Sequence, residues 1–455
     1  SIRIKILSTK MEKEGILNNQ IIEIAKEFLE KTKTKETLII SHFDTDGITS
    51  ATILIQTLKK LDRRFSVIIL KSLEKEFIYN LPTSKIILFL DLGSGNLDAI
   101  SNIPNEDIFI IDHHEIIQQI PKNVKIINPH LGEKEKISAS GLSYLFCKEI
   151  DEKNKEFAKL AVLGMIGDTL EKEIDKINHG ILTDGEIKKR RGVMIYPSTR
   201  PLNRTLEYCS SPYIQGVTGN LKGVLELLRD SNINPSSKGY PSLLELTEEE
   251  MEKLVTAIIL RNPKTTNQEI IGDIFLIKMY NKLEDAREMS AKINACSRLG
   301  DPNTALQFCM EISSAKKKVE SIHVKYRQHI VSALKFVAEA KKIQGRDYVI
   351  INAKQNIKET IIGTIASILS NSKLYEEGTS VITLAYSDDE KIKISARNVG
   401  KQGRNVRDLL ANITSKFQGE VGGHEYAAGC LIKQEHEEKF IEDLRKNLEI
   451  EVIRI

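Results

Sequence analysis

Short apolar runs alternating with helical patterns dominate the first part of the chain: 38–40, 67–70, 85–90, 107–111 and 124–127. Runs of this length without strict alternation are the pattern of parallel strands buried on both faces. A helical stretch near Gly47–Leu61 follows the first run, and the spacing predicts further helices over about 138–150 and 154–167. Residues 1–190 therefore read as one α/β domain built on a doubly wound parallel sheet.

The texture changes between 191 and 300. Pro197, Pro201, Pro212, Pro235 and Pro241 interrupt it, with Ser and Gly between them. Thr247 and Glu250 form a capping box before a helix predicted to end near Arg261. This segment reads as a smaller helical insertion. Asp301-Pro302 then opens a long helical pattern, with Asp at the N-cap and Pro in the first turn. No breaker occurs before Gly345, so 301–343 is expected to be one connecting helix of roughly 60 Å. After it the strand–helix alternation returns. Residues 348–352, 380–386, 391–397 and 430–432 read as strands, with helices at 361–370 and 406–417. Residues 344–455 form a second, smaller α/β domain.

Composition removes several classes of function. The 455 residues carry 66 Lys and Arg against 63 Asp and Glu, a net charge of +3. A charge this even excludes a histone-like polycation; nucleic acid would need a local basic groove. Five scattered cysteines (Cys147, Cys209, Cys296, Cys309, Cys430) include no C-x-x-C pair, against a disulfide framework or structural zinc site. A reducing cytoplasm is the expected compartment. No apolar run approaches the length of a spanning helix, and no membrane role is expected. Residues 1–10 read equally as native or as an added segment. The absence of Trp, with abundant Ile, Lys and Glu, hints at a thermophile or an AT-rich genome.

The chemistry sits where strands end. Ser41-His42-Phe43-Asp44-Thr45-Asp46-Gly47 leaves the first strand and enters a helix. His42, Asp44 and Asp46 are spaced by two, which in extended backbone points them to one side. Hard ligands at the carboxyl end of a parallel strand suit a metal. The alternative is an N-capping loop with Asp46 as the cap. Asp91 directly follows the third run, where a simple turn former is also possible. The Gly93-Ser94-Gly95 beyond it is poor evidence for a nucleotide loop. Asp112-His113-His114 follows the fourth run; one histidine can face metal and the other substrate, or both can be exposed loop residues. Asp168 ends an apolar helical stretch, where a charge is costly unless paired or metal-bound, or is a helix cap. Oxygen and imidazole donors favour Mn²⁺ or Mg²⁺. Their number suits two ions sharing one carboxylate, which can activate a water and stabilise the leaving oxygen of a phosphodiester.

The order His42-x-Asp44-x-Asp46, Asp91, Asp112-His113-His114, Asp168 resembles the motifs of the DHH phosphoesterase superfamily. Gly422-Gly423-His424-Glu425-Tyr426-Ala427-Ala428-Gly429 resembles the glycine-rich motif of its DHH-associated domain. Two such domains joined by a long helix are similar to the RecJ exonucleases. The insertion, with 196–201 (YPSTRP) and 212–214 (PYI), resembles the archaeal branch that includes the GINS-associated nuclease. That branch is related to the helicase cofactor of the CMG complex. The resemblance implies that His42, Asp44, Asp46, Asp91, His113 and Asp168 hold metal, that His114 contacts the scissile phosphate, and that Asp112 orients the histidines. Ser395-Ala396-Arg397 with Gly422, Gly423 and His424 would clamp substrate: the glycines allow close backbone approach, and Arg397 grips a phosphate bidentately. The alternative there is a structural arginine and a tight turn. Lys188–Arg191 and Lys316–Lys318 either track a nucleic-acid backbone or are solvated faces.

The expected function is thus a Mn²⁺- or Mg²⁺-dependent exonuclease on single-stranded DNA or RNA, linked to replication or repair, with GINS or another replisome protein as partner. Its rivals are a phosphodiesterase of small molecules or short oligonucleotides, and a replisome scaffold.

Overall fold

The computed structural model describes residues 15–449 apart from 210, 211, 213, 263–269, 373, 388, 389, 418 and 420. The outer ends of the two expected α/β domains, at 1–14 and 450–455, lie outside the described residues, as does Tyr213. The chain divides into two compact units, one of residues up to 191 with 273–323, the other of 192–272 with 324 onward.

The first unit is built on β1 (Thr37–His42), β2 (Phe65–Leu70), β3 (Ile86–Leu90), β4 (Ile108–Ile111) and β5 (Val124–Ile127). Their order is β2-β1-β3-β4-β5, and every neighbouring pair is parallel. All residues of β3 and β4 are buried, because both faces of the sheet are covered. Alternate side chains divide between two cores. Ile39, Ile86, Leu88, Leu90, Phe109 and Ile111 meet the helices Ile16–Lys31, Thr45–Lys60, Ala139–Ile150 and Ala158–Gly167. Ile40, Ile87, Phe89, Ile108 and Ile110 meet residues of the short helices Lys75–Tyr79 and Leu97–Ile100. The doubly wound parallel sheet is therefore present. The chain winds one way from β1 to β2 and the other way from β1 to β3, so a topological switch point lies between β1 and β3. Sheets of this kind bind ligands at the carboxyl ends of the strands flanking that point.

Two departures from the sequence reading have clear causes. The segment 191–300 is not wholly helical: β7 (Ile271–Met279) and β8 (Lys282–Asp285) form a hairpin beside β6 (Lys188–Val193). Tyr280 and Asn281 both adopt positive φ, the requirement of a two-residue hairpin turn. The expected connecting helix is two helices, Pro302–Cys309 and Ser313–Glu339. Between them Glu311 has φ 57°, and its carboxylate accepts the Tyr280 N–H at 2.6 Å and binds Lys159. A long-range acceptor breaks a helix whose local sequence would continue it.

In the second unit the helices Leu202–Glu207, Leu221–Asp230 and Glu248–Arg261 form the insertion segment, the last with the Thr247/Glu250 capping box in place. The C-terminal sheet adds β9 (Ile343–Gln344), β10 (Tyr348–Asn352), β11 (Ser380–Tyr386), β12 (Lys391–Asn398), β13 (Val421–His424) and β14 (Ala427–Lys433). Their order is β13-β14-β12-β11-β10-β9, with only β10 and β11 parallel. The glycine-rich motif is thus a β-hairpin turning at Glu425-Tyr426. The helices Val406–Thr414 and Glu437–Glu449 bury Leu410, Phe440 and Leu444 against β10, β11 and β12.

Candidate metal centre

Four chain segments deliver the site. β1 ends in His42, and Asp44 caps the following helix through Gly47 N at 3.1 Å. Gly47 has no room for a side chain, since a Cβ would lie 2.2 Å from His42 O. Asp91 follows β3 with φ 58°, a left-handed conformation that Asp tolerates better than most residues. Asp112, His113 and His114 follow β4. Asp168 stands at the C-cap of the helix Ala158–Gly167, where the helix dipole disfavours a carboxylate.

These residues converge. His42 Nδ1 lies 3.0 Å from Asp44 Oδ2 and 3.2 Å from Asp91 Oδ2. His113 Nε2 lies 3.4 Å from Asp91 Oδ1, 3.3 Å from Asp168 Oδ2 and 3.9 Å from Asp46 Oδ2. Three overlapping donor groups result, His42/Asp44/Asp91, Asp46/His113/Asp168 and Asp91/His113/His114. The Asp91 carboxylate joins the first two, presenting Oδ2 to His42 and Oδ1 to His113. All six residues expected to hold metal are therefore in one place.

Asp112 stands behind them. Its Oδ1 accepts the N–H groups of His113 and His114 and faces His114 Nδ1 at 2.7 Å, while Oδ2 accepts Ser94 N–H at 3.0 Å. Asp112 Oδ1 thus contacts both histidines, while Oδ2 is held by the Ser94 backbone. The Gly93-Ser94-Gly95 turn serves this carboxylate. Asn128 ties it further, donating to Ser94 Oγ and to His114 O.

The electrostatics are those of crowded, buried carboxylates. Burial, with the charges of Asp44 and Asp46, pushes Asp91 up to about 6. Burial, with Asp46 and Asp91, holds Asp168 well above the usual carboxylate range. Burial favours neutral His42, yet Asp44 and Asp91 outweigh it and raise His42 well above the ordinary imidazole value. His113 is raised against its burial by Asp91, Asp168 and Asp46. Burial would lift Asp44, but the His42 charge and the Gly47 N–H hold it far below its ordinary value. Asp91 Oδ1 and Asp168 Oδ2 are buried oxygens without a well-formed hydrogen bond. Such atoms are costly unless a cation meets them. The donors are carboxylate oxygen and imidazole nitrogen with no thiolate, a set that fits Mn²⁺ or Mg²⁺.

Two features escaped the sequence reading. The helix cap at residue 44 is Asp44, whereas Asp46 turns away to accept the N–H groups of Ala139 and Ser140. The Arg298 guanidinium lies 5.1 Å from the ring of Phe43, the residue between His42 and Asp44. Arg298 ends the helix Ala286–Arg298, more than 250 positions away, and no local pattern marks it.

The substrate-side candidates lie in the second unit. Ser395 is buried on β12. Arg397 donates from Nη1 to Ala396 O (2.8 Å) and Ala428 O (3.2 Å), and from Nε to Ser367 Oγ (3.2 Å). Gly422, Gly423 and His424 are exposed on β13. Gly423 has φ 115°, and a Cβ there would meet Ala427 O at 2.3 Å. Lys189 and Arg191 on β6 both face Asp273, which neutralises part of that basic run.

Three family descriptions match the chain: the DHH family N-terminal domain at 36–165, a DHH-CID domain at 196–270 and a DHHA1 domain at 346–449. An uncharacterised protein of Methanocaldococcus jannaschii is 28% identical over 422 residues, 89% of this chain and 91% of that one. The single-stranded-DNA-specific exonuclease RecJ of Haemophilus influenzae is 21% identical over 88% of this chain, a match that spans 64% of that enzyme's length. Among solved structures, an exonuclease RecJ bound to manganese superposes with a TM-score of 0.60 at 16% identity, covering 94% of this chain and 95% of that one. CDC45 from Entamoeba histolytica superposes with a TM-score of 0.65 at 11% identity, covering 94% and 99%. Among the described residues no helix is long and apolar enough to cross a membrane.

Proposed function

We propose, for a chain that belongs to the DHH superfamily and is of the RecJ type, that it is a metal-dependent exonuclease of single-stranded nucleic acid. The observation that carries this reading is the placement of Asp91, with one oxygen toward each of two donor groups. Manganese or magnesium ions held there would polarise the phosphodiester and activate a water. The residues do the rest. Asp112 holds His114 through Nδ1 and leaves Nε2 of this half-exposed ring to face the scissile phosphate. Arg298, stacked on Phe43, adds a cation beside the ligand loop. Ser395, Arg397 and the β13–β14 hairpin are proposed to grip the strand. GINS or a related replisome protein is the proposed partner of 191–300 or the C-terminal domain. A pull-down from cell extract with and without 196–270 tests it, and recovery of no replication protein by either form counts against it.

The test of activity is a degradation time course on end-labelled DNA and RNA with Mn²⁺, Mg²⁺ or EDTA. The expected result is progressive shortening of long single strands that EDTA abolishes. Cleavage confined to two-residue substrates supports the small-substrate alternative. A scaffold role, favoured by the likeness to the CDC45 fold, requires no cleavage of any substrate; the intact ligand set weighs against it.

A further inference from the structure

Asp46 belongs to two structures at once. Its side chain is fully buried. Oδ2 accepts the Ala139 N–H at 2.7 Å and Oδ1 accepts the Ser140 N–H at 2.9 Å. Those are the first two residues of the helix Ala139–Ile150, whose own N-cap, Ser138, is occupied elsewhere, accepting Gly141 N–H and touching Ser140 Oγ. The first amides of a helix have no partner within it. Here a ligand carboxylate from a different helix satisfies them, one amide to each oxygen. Two such bonds fix both the position and the plane of the carboxylate, whose Oδ2 also lies 3.9 Å from His113 Nε2. The fit is close on the opposite side as well. A Cβ at Gly164 would lie 2.3 Å from Asp46 Oδ1 and 2.0 Å from Ser140 Oγ, so only glycine allows the third helix to approach.

We infer that the first turn of the helix Ala139–Ile150 is a positioning device for the second ion, acting through the backbone N–H groups of Ala139 and Ser140 on Asp46. The inference rests on the two-ion reading above and deepens it. It assigns the two donor groups different supports. Asp44 is held by its own helix, through Gly47 N, and Asp91 by its strand end; Asp46 depends on a helix that begins 93 residues later. Disturbing that helix start should therefore weaken the Asp46/His113/Asp168 ion and spare the His42/Asp44/Asp91 ion.

Ala139→Pro is the direct test. Ala139 is the first helical residue and Ser138 before it is extended, at ψ 162°, so proline suits the local backbone while removing one donor to Asp46. Ala139→Gly keeps the donor and is the rescue control. Ser140→Pro, read against Ser140→Ala, removes the other donor to Asp46 in the first helical turn and provides an independent variant should the Ala139→Pro protein fail to fold. The measurement is a calorimetric Mn²⁺ titration of the full chain, with thermal melting in parallel. The expected wild-type result is two ions. In Ala139→Pro and Ser140→Pro one ion should bind about ten- to a hundredfold more weakly, the loss usual for a partner that orients a ligand, with the other unchanged and Ala139→Gly and Ser140→Ala like wild type. Two ions bound with wild-type affinity by a folded variant, or an equal loss at both positions, overturns the inference alone. A wild-type protein that binds fewer than two ions overturns the two-ion reading beneath it as well.

Discussion

The metal cluster of the first unit and the glycine motif of the second hold their polar groups in opposite ways. In the cluster, Asp46, Asp91 and Asp112 are almost wholly buried, and two buried oxygens have no good hydrogen bond. In the glycine motif, Gly422, Gly423 and His424 are exposed. Arg397 is turned onto its own sheet, donating to two carbonyls and a hydroxyl. The first region cannot satisfy itself and calls for a cation. In the second, Arg397 already has protein partners for its donors.

The largest expected effect comes from breaking the cluster. Asp91→Asn keeps a residue that tolerates the left-handed backbone but removes the shared charge. It should abolish nearly all hydrolysis while the melting temperature stays close to wild type. Adding Asp44→Ala should cost little more, because residues acting as a unit are not additive. Steady-state rates of the single and double variants check this, and substantial hydrolysis by Asp91→Asn contradicts it.

Arg397→Ala sharpens the contrast from the other side. It should weaken binding of single strands about ten- to a hundredfold, roughly 1.5–3 kcal/mol for one charge-assisted contact. The salt slope should fall by about 0.7, one phosphate's share for a single strand. Bound metal should stay at the wild-type level. Binding across a salt series with parallel metal analysis decides; an unchanged affinity and slope would make Arg397 a structural residue of β12.

A smaller effect belongs to a part of the first unit remote from the cluster. Asp107 is bonded by Lys31 and Lys35, which hold its pKa below the ordinary value against the effect of burial. A lowered carboxylate pKa stabilises the fold above the unfolded-state value, and the contribution is lost as the pH falls through the folded value. Asp107→Asn should therefore cost about 1 kcal/mol at pH 7, since both lysines are partly exposed. The difference from wild type should vanish in acid. Denaturant melts at several pH values test this; a constant difference down to acid pH contradicts it.

What could be read in advance follows the same division. The buried runs Ile86–Leu90 and Ile108–Ile111 have only one way to be covered on both faces, so the sheet and the acids at its rim were legible. The β7–β8 hairpin was not, because Tyr280-Asn281 makes a turn with no glycine to mark it. The break at 310–312 was not, because its cause is a bond from Glu311 to Tyr280. The alternative reading of Asp46 as the cap of its own helix fails, because Asp44 takes that place and Asp46 meets a different helix. The helix it caps starts at Ala139, and no local spacing reports a contact across 93 positions.

Asp91 is proposed to join two ions, and electron paramagnetic resonance of the manganese-loaded protein reads that directly. The expected result is an exchange-coupled Mn²⁺ pair in the wild type that gives way to uncoupled Mn²⁺ in Asp91→Asn. Uncoupled manganese in the wild type, at full loading, would contradict it.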